Sequence, residues 1–426
     1  MSHPQSGSTS ASGRKVVFIL ERFPADTLNF VYNEIEVLDR SGFEIEIYSI
    51  LPCVYCPEEA KSFLSRTIAI APISAVRLLT SVLYFFLRKP GTVLALLLKL
   101  PFENRVGFWR KFPRTVAHVL QGIHFAYLLR GRRDHVHAHF AYKAATAAYC
   151  ASRLNGTTFS FTAHGSDTIH PPSQYNLRTK VSGASFIITI SEFNKRTILA
   201  ACPGYPENRI IVNRTGIVVE DFAFSPRKIE LDGPFRILCV ASLYPIKNHE
   251  CLIDACGHLA AKGRDFQVSL VGKDEKGRQK VLEDRARDRA VLDRVHFQGV
   301  ADHRQIHEWL KKADLFVMTS HIEGIPVAIM EAMASGIPVL GPRVTGLPEL
   351  VTHDETGWLA DPRNPEDFAL LIERIMDDPR SIEKVLVPAR RKIEAEFDMK
   401  TNARNVARIF REMIPPQPCC RAKTEK

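Results

Sequence analysis

Residues 315–341 read LFVMTS-HIEGIPVAIMEAMASG-IPVLG. Leu315 to Ser320 form a short run without polar alternation, the pattern of a strand buried on both faces. Ile337 to Gly341 form another. Between them a Gly-containing loop leads into a helical stretch, and Pro326 suits the first helical position, where its missing N–H costs nothing. The first helical turn leaves amides such as Val327 and Ala328 without intrahelical partners, which makes an anion site reinforced by the helix dipole. Glu331 stands five residues beyond Pro326, about 7.5 Å along the axis. That separation lets it meet a ribose while the amides hold phosphates, with Glu323 available to hydroxyls at the other end. Taken alone, the two acids would read as solvated surface carboxylates; the Gly-Pro helix start between them favours a binding role.

Working outward, similar runs recur along the whole chain. The first series is Val16–Leu20, Phe43–Ile50, Thr67–Ile70, His135–Phe140, Phe159–His164, Phe186–Ser191 and Ile210–Arg214. The second is Phe235–Ser242, Phe266–Gly272, Val295–Gly299, Leu315–Ser320 and Ile337–Gly341. Helical stretches separate them, so the expected fold class is α/β, with two doubly wound parallel sheets. The seam is expected near Phe222 to Pro234, where Ser225-Pro226 and Asp232-Gly233-Pro234 interrupt periodicity. This gives a first domain over 14–222, a second over 234–395 and a C-terminal helix over 396–414. Disordered tails are expected at 1–13 and 415–426. Ligands of such sheets sit beyond the carboxyl ends of strands. The polar residues there are His139, His164, Ser191 and Arg214, then Ser242 with Lys247, Gly272 and Ser320.

The chain has 426 residues, 45% hydrophobic and 24% charged, which excludes a disordered or fibrous protein. The formal charge is +10, and it is unevenly spread. Between Ala75 and Asp134, eleven Lys or Arg face only Glu103 and Asp134. The same segment carries aliphatic and aromatic runs, so 74–133 is expected to dock on an anionic membrane surface; a solvated helical face is the alternative. No nucleic-acid motif accompanies the charge, and no apolar run reaches the roughly 18 residues of a membrane span. Nine cysteines behind a polar, Ser/Gly-rich start predict a reduced, cytoplasmic setting. Cys53 and Cys56 have CxxC spacing but lack the second pair that a zinc knuckle needs.

Glu323, seven intervening residues and Glu331, inside EGIPVAIMEAMASGIPV, resemble the E-x7-E signature of retaining glycosyltransferases of family 4, which have the GT-B fold. The continuation GPRVTGLPELVTHDETGWLADPRNPEDFA is similar to the family's. FPADTLNFVYNEI (residues 23–35), His137-Ala138-His139-Phe140 and Ser160-Phe161-Thr162-Ala163-His164-Gly165 resemble the bacterial exopolysaccharide branch, of colanic-acid and amylovoran type. The resemblance implies two Rossmann-like domains facing across a cleft, with the C-terminal helix returning to the first. It implies a UDP- or GDP-sugar donor in the second domain. Glu331 would hold the ribose, the amides around Gly324, Ile325, Val327 and Ala328 together with Lys247 the diphosphate, and Glu323 the sugar hydroxyls. Gly272 would lie near the nucleotide.

One departure stands out. The family often has Arg-x4-Lys here, whereas this chain has Ser242 before Lys247. Losing a guanidinium sacrifices bidentate phosphate contact, so another cation is expected to substitute, Arg214 first and Arg343 second; capping a strand end is the alternative role for Arg214. By the same resemblance His164 faces the reaction centre, while Asn29, Glu34 and His139 belong to the acceptor side. The expected reaction is sugar transfer with retention to a lipid-linked or polysaccharide acceptor in exopolysaccharide biosynthesis, at the inner face of the cell membrane. No metal or other cofactor is expected. The rival readings are a non-catalytic, membrane-associated sugar-nucleotide binder and another GT-B enzyme such as a sugar-nucleotide epimerase.

Overall fold

A computed structural model describes residues 14–25, 28–56, 58–103, 108–169, 176–228 and 233–415. The expected tail 1–13 lies outside the described residues, as does all of 415–426 except the exposed Pro415. The chain divides into two compact units: residues 1–189, 194–213 and 403–426 in the first, and 190–193 with 214–402 in the second.

The first unit is built on seven strands: β1 (Arg14–Arg22), β2 (Phe43–Leu51), β3 (Thr67–Ala69), β4 (His135–His139), β5 (Phe159–Ala163), β6 (Phe186–Thr189) and β7 (Ile210–Val212). They form one parallel sheet in the order β3-β2-β1-β4-β5-β6-β7. The order reverses between β1 and β4. One face packs on helices Phe108–Leu128 and Lys143–Asn155, whose run of alanines lets it lie close to the sheet. The other face is covered by helix Asn29–Arg40 and by the C-terminal helix, Met399–Met413. Phe410 of that helix meets Phe18, Phe43, His137 and Phe186, so the expected return of the chain's last helix to the first unit holds.

The second unit has six parallel strands: β8 (Phe235–Val240), β9 (Phe266–Val271), β10 (Val295–Gly299), β11 (Leu315–Val317), β12 (Val339–Pro342) and β13 (Trp358–Ala360). Their order is β10-β9-β8-β11-β12-β13, with the reversal between β8 and β11. Both units are therefore doubly wound and Rossmann-like, as expected. The boundary differs: residues from Arg214 onward join the second unit because Ile217, Val219 and Phe222 are buried in its core with Ile329, Met330 and Phe397. The expected seam, Phe222 to Pro234, thus falls inside the second unit.

The basic segment folds as three helices between β3 and β4: Ala75–Arg88, Pro90–Glu103 and Phe108–Leu128. Ser74 caps the first, its hydroxyl accepting the Arg77 N–H at 3.3 Å. Phe85, Val93, Leu96, Leu100, Val119 and Ile123 face inward and are buried. Val76, Leu79, Leu83, Phe86 and Leu87, three or four residues apart, remain exposed on one face of the first helix, and Leu94, Leu98, Phe102 and Trp109 are exposed nearby in sequence. No single described helix is long and apolar enough to cross a membrane.

Candidate functional site

In the second unit the site grows from the carboxyl ends of β8 and β11, where neighbouring connections leave in opposite directions and open a crevice. After β8 the chain passes Ala241 and Ser242 and makes a 3₁₀ turn, Pro245–Lys247. Asn248 follows at φ 53°, a left-handed conformation that Asn tolerates better than most residues. Its buried amide donates to the carbonyls of Thr319 at 3.0 Å and Pro362 at 2.9 Å, and the Thr319 hydroxyl donates back to its carbonyl at 2.8 Å. The His321 N–H reaches the Ile246 carbonyl at 2.9 Å. The turn after β8 is thereby stitched to the exit of β11, and this places Lys247.

The Lys247 ammonium donates to Oε1 of Glu323 at 2.7 Å. Glu323 is only 8% exposed, in the loop between β11 and the next helix. Thr345 fixes that loop from the other side: it accepts the Glu323 N–H at 3.2 Å and donates its hydroxyl to the Glu323 carbonyl. Gly346 is required beside it, since a Cβ there would lie 2.6 Å from the Gly324 carbonyl oxygen. Neither Thr345 nor Gly346 was singled out from sequence, although both stand in the quoted GPRVTGLPEL. Asn248 was also missed; only its place after Lys247 marks it.

The helix after the loop is Val327–Ser335. Pro326 is its N-cap, with ψ 124°, not its first helical residue as expected. Proline's fixed φ suits the extended cap equally well, and the helix simply starts one residue later. The first intrahelical bond runs from the Met330 N–H to the Pro326 carbonyl at 3.3 Å. Val327, Ala328 and Ile329 therefore present the unpaired N–H groups of the first turn. Ile325 is buried in the core beneath them. Glu331, one turn further on, makes no hydrogen bond or ion pair among the described residues; burial pushes its carboxyl up to about 7.

Gly272 follows β9, and a Cβ there would lie 2.1 Å from the Ala241 carbonyl oxygen and 2.9 Å from the Ser242 nitrogen. Its role in the structure is to let the chain after β8 pass against it, which sets where Ser242 and Lys247 begin. Arg214 is engaged elsewhere. Its guanidinium pairs with Glu349 at 3.2 Å and lies near Glu396 at 3.7 Å and over the Phe397 ring. Glu349 also accepts the backbone N–H groups of Glu192 and Phe193 at 2.9 and 2.7 Å. The structure thus brings together Lys247, Glu323, Gly324, Ile325 and the helix carrying Glu331, and ties Arg214 to acids of its own. Arg343 Nη2 donates at 3.4 Å to the Leu359 carbonyl.

In the first unit the candidate histidines cluster at the carboxyl ends of β4 and β5. His164 leaves β5, as expected, with its ring between Phe30 at 4.7 Å and Phe140 at 4.4 Å. Its Nε2 is 3.2 Å from Nδ1 of His139, whose Nε2 faces Oε1 of the buried Glu34 at 3.5 Å. The Asp167 carboxylate accepts the N–H groups of Ala141 at 2.7 Å and His164 at 2.9 Å, fastening the two strand exits together. Strand alternation puts His135, His137 and His139 on one face, where Ser160 and Thr162 of β5 stand opposite. His137 spans Ser160 at 2.7 Å and Thr162 at 3.0 Å, and Ser160 also meets His135 at 2.8 Å. Burial pushes His137 and His164 well below the ordinary imidazole value, and His135 to about 3. Glu34, His137 and His139 place donor atoms within 4.8 Å of one another. Both His137 nitrogens are held by hydroxyls, whereas Glu34 Oε1 and His139 Nε2 are buried without a hydrogen-bond partner among the described residues. Asn29 opens helix Asn29–Arg40, but its side chain lies outside the described residues.

The chain is 33% identical over 233 residues to the amylovoran biosynthesis glycosyltransferase AmsK of Erwinia amylovora, covering 53% of this chain and 56% of that protein. It is 33% identical over 221 residues to the putative colanic acid biosynthesis glycosyltransferase WcaL of Escherichia coli (strain K12), covering 49% and 53%. The chain spans about half the length of the curated relatives it matches. Among solved structures it superposes on Anabaena HepE in complex with UDP with a TM-score of 0.69 at 19% identity, over 93% of this chain and 100% of that one. For sucrose-phosphate synthase from Thermosynechococcus elongatus the TM-score is 0.66 at 18% identity, over 94% and 99%. These neighbours are GT-B glycosyltransferases, and the fold is theirs. Residues 221–394, which hold Lys247, Glu323 and Glu331, match the family model described as Glycosyl transferases group 1.

Proposed function

We propose that the chain is a retaining, family 4 glycosyltransferase that moves a sugar from a nucleotide-diphosphate sugar to a lipid-linked or polysaccharide acceptor in exopolysaccharide biosynthesis. The observation that carries this reading is the unpartnered, partly buried Glu331 one turn inside a helix whose free amides adjoin the Lys247–Glu323 pair. A ribose, a diphosphate and a sugar make the complementary set: a hydroxyl pair for Glu331, anionic oxygens for the amides and Lys247, and further hydroxyls for Glu323. A nucleoside diphosphate leaves as an anion, so fixed N–H dipoles and one ammonium stabilise the charge where it develops. No divalent ion is needed in this scheme. Retention follows if the acceptor hydroxyl enters on the face from which the diphosphate departs: the C–O bond to the leaving phosphate breaks, the acceptor oxygen bonds to the anomeric carbon, and the leaving phosphate takes the proton. With Arg214 paired to Glu349, Lys247 carries the cationic part of this role, and the Ser242 position has no guanidinium to add.

The reading places the protein on the cytoplasmic face of an anionic membrane. Its support is the exposed row Val76, Leu79, Leu83, Phe86 and Leu87 within a segment of eleven cations against two acids. An apolar face meets the lipid boundary while cations meet headgroups. A thermal-shift screen of nucleotide sugars, including UDP-glucose and GDP-mannose, tests the donor site. One donor should stabilise the wild type, and that stabilisation should vanish in Glu331→Ala. NMR of the product then reads the anomeric configuration, and an inverted product would refute the retaining assignment.

A further inference from the structure

The first sheet reverses its order between β1 and β4, just as the second does between β8 and β11. At that reversal lies a cavity of about 740 Å³ that no donor chemistry above uses. Its lining brings together cations from three elements: Lys111 and Arg114 from helix Phe108–Leu128, Lys143 just after β4, and Lys180 from helix Leu177–Gly183. Glu21, near the end of β1, is the acid among the cavity's described lining residues, and it pairs with Lys143. Lys111 and Arg114 have no ion pair among the described residues. Lys180 is 1% exposed, and its ammonium donates to the Ala141 carbonyl and, at 3.2 Å, to that of Tyr142. Burial lowers the Lys180 amine to about 7 against the pull of Glu103 and Asp167, so it stands ready to hold a proton when an anion enters the cavity. His118, on the same helix face as Lys111 and Arg114, lines it too.

We propose that this cavity is an anion site that takes the phosphate or diphosphate of a phosphorylated acceptor. The inference rests on the glycosyltransferase reading for the word acceptor, but the anion site stands on its own geometry. Lys111 and Arg114 supply the accessible charge, and Lys180 supplies a buried amine that an entering anion would hold protonated. Helix Phe108–Leu128 also belongs to the segment with the exposed apolar row, and Trp109, 87% exposed, is next to this cation pair in sequence. A phosphate borne on a lipid and a soluble phosphorylated sugar offer the same chemistry to these residues.

The test uses the full chain and the double substitution Lys111→Gln, Arg114→Gln, which leaves the buried Lys180 intact. Calorimetric titration with inorganic pyrophosphate should show binding weakened about tenfold or more in the variant, the loss expected for two charge-assisted contacts. UDP-glucose binding should be unchanged. In a second arm, phosphatidylcholine vesicles with and without a polyprenyl diphosphate are sedimented with each protein. Diphosphate-dependent capture lost in the variant identifies a lipid-borne source. Sensitivity to soluble pyrophosphate alone identifies a soluble phosphorylated acceptor. Equal binding by wild type and variant in both arms overturns the proposal. If no nucleotide sugar binds the wild type while pyrophosphate binding still depends on the two cations, the glycosyltransferase reading fails and the anion site remains.

Discussion

Glu331→Gln separates what the carboxyl costs from what it does. The side chain is partly buried and has no partner among the described residues, and burial raises its carboxyl from 4.5 to about 7. That gap corresponds to about 3 kcal/mol of penalty on the ionised form. A folded-state value above the unfolded one means the folded state holds the proton more tightly. The penalty is therefore absent below about pH 4.5, grows as the pH rises and is complete above about pH 7. Glutamine keeps the shape without the charge, so the unliganded variant should be more stable than wild type by up to about 3 kcal/mol near pH 8 and equal to it near pH 4.5. Donor binding should run the other way. If the carboxylate accepts ribose hydroxyls, the binding-competent fraction falls from about 90% near pH 8 to about 10% near pH 6, a loss of about tenfold in affinity that the variant should not show. Unfolding monitored with and without UDP-glucose or GDP-mannose, across this pH range, reads both effects. A variant no more stable than wild type above pH 7, or one binding the donor as well as wild type near pH 8, would refute the reasoning.

Gly272→Ala should destabilise the second unit by about 1–3 kcal/mol, because the added carbon meets the Ala241 backbone, not a flexible side chain. Thermal unfolding checks this, and donor affinity should fall with it as Lys247 shifts. Burial holds His118 at about 4 and His135 at about 3, with His137 and His164 also depressed. The unfolded chain then binds more protons, so each should remove up to about 2 kcal/mol of stability as the pH falls from about 6.5 to 5; denaturant titrations over that interval would show it, and flat stability would contradict it. Leu79→Ser with Leu83→Ser should release the protein from anionic vesicles in flotation without lowering its melting temperature, since both side chains are already exposed.

Twelve of the thirteen strands were legible because β-branched or apolar runs without alternation leave few alternatives to a doubly buried parallel strand. The thirteenth, β13, is Trp358-Leu359-Ala360, three residues with no β-branched member, and nothing local marks it. The Glu323–Glu331 spacing and the strand-end position of His164 were also legible, since both follow from where a strand stops. What was hidden is pairwise. Arg214 was offered as a phosphate ligand from its place at a strand end before the seam, but no spacing announces Glu349, far along the chain, as its partner. Thr345 and Asn248 matter through contacts that only the packed loops create. Lys180 was not singled out from sequence, because only its burial in the packed fold sets it against a cavity.

The two acids of the Glu-x7-Glu pair end in unlike surroundings, and the difference is itself an argument about function. Glu323 is satisfied by Lys247 and by a loop that Thr345 clamps, so its presence is accounted for by contacts in the folded chain. Glu331 is accounted for by none. It faces neither cation nor donor among the described residues, and its burial works against the fold near neutral pH. A short helix lined by Ile329, Met330, Ala332 and Met333 would be more stable with glutamine or an apolar residue in its place. On the proposed reading, a side chain that opposes stability and gains no internal partner is kept for a ligand from outside, and hydroxyl groups adjoining a phosphate are the chemistry that its neighbours would complete.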